Sequence, residues 1–251
     1  MSLHSLLRHG AAFVVGALAW LGGCSATSSE GVTVGVAVEG PRTPALTGGV
    51  RVFDTDRGLR VTLTRGFLSL GSVEIFACAP TAHRAWPHRE WLEGVRMRSA
   101  FAHVEGSPTL LGIPAVTSLV TADGARTKVG DLRPPPGAYC RVKQTFLAAD
   151  LDAPGLPPDG AMLGQTMLVE GTWAIGGGEA KPFRLTSTAS FDVDTTLEAT
   201  SLSVEGRRTA TVVVVTVGAR WFDGVDFAAD AQESATRILQ NLRASQGARI
   251  E

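Results

Sequence analysis

The alternation of apolar and polar positions is the strongest signal in this chain, and it has the period of a strand. In Val32-Thr33-Val34-Gly35-Val36-Ala37-Val38 every even position is valine and every odd one is small or polar. Val61-Thr62-Leu63-Thr64 repeats the pattern, and Phe67 to Phe76 continues it through Leu68, Leu70, Val73 and Ile75. Gly71 interrupts that run and marks a bulge, where one extra residue shifts the period. Further strands are predicted at Tyr139 to Phe146, Thr166 to Trp173, Phe183 to Val193, Leu197 to Val204 and Thr211 to Val217. The last holds Val212-Val213-Val214-Val215, whose unbroken β-branched run suits a strand buried on both faces.

Turn chemistry separates these stretches: Pro134-Pro135-Pro136-Gly137, Pro154 to Gly160, Gly176-Gly177-Gly178 and Glu205-Gly206-Arg207-Arg208. Many strands punctuated by Gly/Pro turns predict a mainly β protein, an antiparallel β-sandwich. The tail alone has helical spacing. Ala235, Ile238, Leu239 and Leu242 share a face across 229–244, with Asp230 and Glu233 early and Arg243 late, as the helix dipole favours. That helix is expected to cover an open edge or end of the sandwich. Trp221-Phe222-Asp223-Gly224-Val225-Asp226-Phe227 precedes it. Its aromatics are placed to lock the corner, Asp223-Gly224 to turn, and Asp226 to cap or brace the helix start. The stretch near 80–111 is irregular and reads as an elaborated loop.

Before the first strand lies a different pattern. Arg8 and the amino terminus precede Ala11-Ala12-Phe13-Val14-Val15-Gly16-Ala17-Leu18-Ala19-Trp20, an uncharged run too short and too Gly-interrupted to span a bilayer comfortably. Leu21-Gly22-Gly23-Cys24 follows. This run resembles the lipobox of bacterial lipoproteins, in which a cysteine after small residues is acylated and becomes the new first residue. The resemblance implies a signal peptide over 1–23, lipidation at Cys24, and attachment to a membrane through the acyl chains. Ser25 stands where an aspartate would resemble an inner-membrane retention signal. The implied site is therefore the outer membrane, facing the periplasm or the cell surface. Residues 24–31 are small and polar and form a short tether, leaving 32–251 as a single domain.

Composition narrows the function. The chain has 251 residues and a formal net charge of -1, and no stretch concentrates lysine and arginine as phosphate binding requires. A nucleic-acid partner is excluded on that ground. No Gly-rich loop opens a helix to cradle a nucleotide. A Gly-x-Ser-x-Gly elbow and a His-Glu-x-x-His helix are absent too, so no enzyme class is indicated.

Two cysteines remain after Cys24, namely Cys78 and Cys140, each at the edge of a predicted strand. In an oxidising compartment they are natural disulfide partners. Thiolate ligation of a soft metal and unpaired buried thiols are the alternatives. Three histidines follow the leader, His83, His88 and His103, all within the irregular stretch. Imidazoles suit copper or zinc, and Glu90 or Glu105 would add an oxygen ligand or orient a ring. The His83–His88 spacing matches no established ligand pattern, so the alternative is solvated loop histidines. Trp86 and Trp91 lie in the same stretch and would either stack on a sugar or a hydrophobic ligand, or plug the loop onto the sandwich.

The order of a strand at Ser72-Val73-Glu74-Ile75, a variable loop, and a turn-to-strand Pro136-Gly137-Ala138-Tyr139-Cys140-Arg141-Val142 is similar to the MbnP-like periplasmic copper-binding proteins associated with methanobactin clusters. It is also similar to other exported lipoproteins sharing a Gly-x-Tyr strand. That resemblance implies copper held by histidines with help from a tryptophan, here His83, His88, His103 and Trp86 or Trp91. The expectation from sequence is thus a membrane-anchored, non-enzymatic binding protein for copper or zinc. The competing expectation is a structural or assembly lipoprotein that contacts an envelope protein or glycan through 80–108, without metal.

Overall fold

The computed structural model describes residues 31–78, 107–112, 114–203 and 205–251. In chain order the elements are β1 (Thr33–Glu39), β2 (Leu46–Thr47), β3 (Val50–Asp54), β4 (Leu59–Ala77), β5 (Leu110–Leu111), β6 (Ala115–Ser118), β7 (Arg126–Leu132), β8 (Gly137–Phe146), β9 (Met167–Ile175), β10 (Lys181–Ser187), β11 (Phe191–Leu202), β12 (Thr209–Thr216), α1 (Ala231–Ala244) and β13 (Gln246–Ile250). The protein is mainly β, with two sheets and this helix, as the alternation predicts.

The smaller sheet runs β13-β12-β1-β7. Its even-numbered valines point inward: Val34, Val36, Val212 and Val214 all join the main core. Val213 is buried as well, so the four-valine run is covered on both faces over much of its length. The β1–β12 pairing is parallel, with Val36 opposite Val212, whereas the other ladders among the described strands are antiparallel. No hairpin constrains this pair, because nearly the whole domain lies between the two strands in sequence.

The larger sheet is built on β4. Along one edge β4 pairs in succession with β3, β6 and β5; along the other it pairs first with β9 and then with β8. β10 extends the β9 arm and β11 the β8 arm. One 19-residue strand can serve two arms because its ladders are interrupted. The register slips between Leu63 and Arg65 on the β9 side and between Leu70 and Ser72 on the β8 side. The second slip falls on Gly71, the predicted bulge, where a Cβ would come within 2.3 Å of the Leu147 side chain. The two stretches read separately from sequence, Val61–Thr64 and Phe67–Phe76, are therefore one strand. Conversely, the predicted strand Phe183–Val193 is two, since pairing passes from β9 to β8 between Ser187 and Phe191.

α1 packs against β10 and β11 and inserts Ala235, Ile238, Leu239 and Leu242 into the main core. Its N-cap is Asp230, whose carboxylate accepts from the Gln232 and Glu233 amides at 2.8 and 3.2 Å. Asp226 braces rather than caps: its carbonyl accepts from Ser234 Oγ at 2.8 Å. The aromatic corner is as expected, with Trp221 and Phe222 fully buried against Phe53, and Asn241 Nδ2 donating to the Trp221 and Asp223 carbonyls. Trp173 is half-buried and stacks on Phe227 at 5.6 Å. Among the described residues no helix is long and apolar enough to cross a membrane.

Candidate functional site

The stretch rich in histidine and tryptophan enters and leaves the sandwich at the end of β4. Its outgoing stem is Cys78. The Cys78 amide donates to the Ala138 carbonyl at 2.8 Å, and Ala77 sits opposite Tyr139. Cys78 and Cys140 form a disulfide across these neighbouring strands, with their Cα atoms 4.9 Å apart. The disulfide expected from sequence is therefore present, and thiolate ligation of a metal by these two sulfurs is set aside.

The returning stem is held as firmly. Ser107 and Thr109 hydroxyls meet at 3.2 Å, and Ile75 N–H donates to the Thr109 carbonyl at 3.0 Å. β5 then continues the ladder, with Leu110 opposite Glu74 and Leu111 opposite Val73. Arg133 N–H takes the Pro108 carbonyl at 3.1 Å, tying this stem to the end of β7. The last part of the irregular stretch thus belongs to the sheet, and segment 79–106 springs from two adjacent, paired strands.

Around the stems the sheet is braced from both faces. Tyr139 is buried, its hydroxyl donates to the Pro135 carbonyl at 2.6 Å, and burial pushes its phenol pKa up. The neighbouring Arg141 lies 3.9 Å over the Phe76 ring and pairs with Asp194 at 2.8 Å. A cation held between a ring and a carboxylate on adjacent strands resists shear of those strands.

His83, His88, His103, Trp86 and Trp91 lie outside the described residues, and so does Cys24. Among the described residues no group of three His, Cys, Asp or Glu side chains is arranged to hold a metal ion. The neighbouring acids Asp150 and Asp152 are both exposed.

Two polar clusters were not legible in the sequence. Arg51 is fully buried; it donates to the carbonyls of Leu119 at 2.8 Å, Thr121 at 2.7 Å and Pro44, and pairs with Asp123 at 2.8 Å. Glu39, also buried, receives Arg42 at 2.9 Å, Arg126 at 3.0 Å and Arg249, while Glu251 bridges Arg126 and Arg249 at 2.7 Å each. Burial by itself would raise the Glu39 pKa. The bonds from Arg42, Arg249 and Arg126 overcome it and bring the carboxyl down to about 2. In both clusters the buried charge is met by partners within the protein, Arg51 by Asp123 and Glu39 by its three arginines. An open groove beside α1 is lined by Arg57, Asp226, Glu233, Ser234, Arg237 and Gln240, and the Ser234 hydroxyl in it is already committed to the Asp226 carbonyl.

Scanning against protein-family models and searching curated proteins and solved structures found no match to this chain.

Proposed function

We propose that the protein is a non-enzymatic envelope lipoprotein, acylated at Cys24, whose β-sandwich displays segment 80–108 as a binding element for copper or zinc. The observation that carries this reading is the disulfide at the base of that segment. Cytosolic reductants keep such bonds open, so a disulfide between Cys78 and Cys140 fits a chain exported behind its apolar leader. The rigid stems fit a binding role, because loops held on a stiff scaffold are where recognition residues concentrate. His83, His88 and His103 supply the imidazole donors suited to these metals, and Trp86 and Trp91 lie in the same segment.

The test has two arms. Mass spectrometry of protein from its native host should find acyl chains on Cys24 and no leader; an intact leader on unacylated protein rejects the anchoring. Elemental analysis of the mature protein should find copper or zinc at about one ion per chain, lost when His83, His88 and His103 are replaced together by alanine. Parent protein without metal, or a triple variant that keeps it, rejects the metal. Crosslinking of an envelope protein or glycan that depends on Trp86 and Trp91 would then establish the assembly role instead.

A further inference from the structure

The larger sheet carries a second, smaller core on the face turned away from the first. Along β4, Leu68 and Leu70 join the main core, and the alternation sends Phe67 and Ser69 to the other side. There Phe67 packs with Val116, Ala149, Ala153, Met162 and Leu168 in a cluster of its own. Segment 149–165, between β8 and β9, supplies the two alanines and the methionine. Its ends meet: Ala149 N–H donates to the Gln165 carbonyl at 3.0 Å, and Gly164 N–H to the Ala149 carbonyl at 2.8 Å. A loop closed at its neck and packed by its own side chains is an Ω-loop.

Two contacts hold this loop down besides its apolar side chains. Along one seam, Val116 N–H of β6 donates to the Pro154 carbonyl at 2.8 Å. A Cβ on Gly155 would come within 2.2 Å of the Val116 carbonyl oxygen, so that approach requires glycine. Further along the loop, Asp159 pairs with Arg65 of β4 at 2.7 Å. Arg65 also meets Glu170 at 3.5 Å, and Glu170 is in turn paired with Arg184 at 3.1 Å.

Two hydroxyls lie at the base of the loop. Ser69 is directly opposite Val116 and shares its face, and its amide donates at 2.9 Å to the carbonyl of Thr166, where the loop rejoins β9. Both side chains are fully buried, and neither hydroxyl has a hydrogen-bond partner among the described residues. A hydroxyl buried without a partner favours any state that returns it to water.

We propose that segment 149–165 is a lid that opens as one unit on a closed sandwich, with Asp159–Arg65 as its latch and the Ser69 and Thr166 hydroxyls as the groups it uncovers. None of its side chains belongs to the main core, so lifting it leaves that core packed. The latch is a partly exposed ion pair and restrains weakly, while the two hydroxyls pull toward opening. Access to the polar spot framed by Phe67, Val116 and Leu168 is thereby conditional on the lid.

Native-state hydrogen exchange, read by NMR on the intact protein at low urea concentrations, tests this. The Val116, Ala149 and Gly164 amides should exchange through one shared opening, with less than about half the urea dependence of the β1 and β12 amides. Asp159→Asn should speed these three amides about threefold. Thr166→Val, which puts a methyl in place of the hydroxyl, should slow them about tenfold. Lid amides with the full urea dependence of β1 open only with the whole fold and overturn the lid; three unrelated openings overturn its action as a unit. An Asp159→Asn protein with parental exchange overturns the latch, and a Thr166→Val protein whose lid amides exchange as fast as the parent's or faster overturns the part given to the hydroxyls.

Discussion

The two ends of the sandwich are closed by opposite means. At the end where β1 starts, Cys78–Cys140 joins β4 to β8 covalently, with Tyr139 and the Arg141–Phe76 contact beside it. Where β1 finishes, Glu39 gathers Arg42, Arg126 and Arg249, and Arg51 ties Leu119, Thr121 and Pro44 together. The difference follows from what each end must hold. A long insertion leaves β4 at Cys78, and the disulfide fixes that point of departure to the neighbouring β8 without regard to pH or salt. The other end joins four chain segments from across the sequence, which no single covalent bond can do; a multivalent cation–carboxylate cluster can. The covalent end is then vulnerable to reductants and the ionic end to acid.

The largest expected effect comes from opening the covalent end. With a sequence separation of 62, loss of the disulfide in Cys140→Ala should lower stability by about 4 kcal/mol in the chain-entropy model. Urea unfolding of the two proteins under oxidising conditions measures it, and equal midpoints would mean the crosslink does not restrict the unfolded chain. Next is Arg51→Met, which keeps much of the volume but strands buried carbonyls of Leu119 and Thr121; about 3 kcal/mol should be lost. Thermal unfolding tests this, and a loss below half of that would mean the carbonyls find other donors.

Removing the hub of the ionic end is expected to cost less, because its arginines remain partly solvated. Glu39→Gln should destabilise by about 2 kcal/mol. The same group gives a pH signature. Its folded pKa is depressed to about 2, so its stabilisation is complete above the ordinary carboxylate range near 4.5 and is lost as pH falls toward 2. Denaturation midpoints of parent and Glu39→Gln should therefore converge across that window, while Cys140→Ala keeps its deficit. A gap that persists at pH 2 would assign the effect to packing rather than charge. The smallest change is Asp230→Ala, which removes the α1 cap and should cost about 1 kcal/mol in the same assay.

How much of this was visible in the sequence depended on whether the signal was periodic. β1 was legible because its valines alternate with small or polar residues against the main core, and β12 because its β-branched run is unbroken. β3 was not. In Val50-Arg51-Val52-Phe53 the burial is inverted, with Arg51 and Phe53 inside and the valines half-exposed, since the carbonyls around Arg51 make an interior place for a cation. β13 was not legible either, because Gln246 to Ile250 has no apolar face of its own. It becomes a strand by pairing with the edge of β12, fixed by reciprocal bonds between Thr211 and Glu251 at 2.9 Å. The candidate site divides the same way: the cysteines were readable from their positions at strand edges, whereas the paired stems were not.

Local sequence by itself marked β1, β4, β8, β9 and β12 as strands and placed α1, since each follows from side-chain period and turn chemistry. Tertiary structure alone decided that β1 pairs parallel to β12, that β4 carries two arms, and that Arg51 and Glu39 are interior. The physical reason is reach. Periodicity reports which face of a strand is apolar, whereas strand partnership and the burial of a charge depend on groups supplied by distant segments once the chain has closed around them.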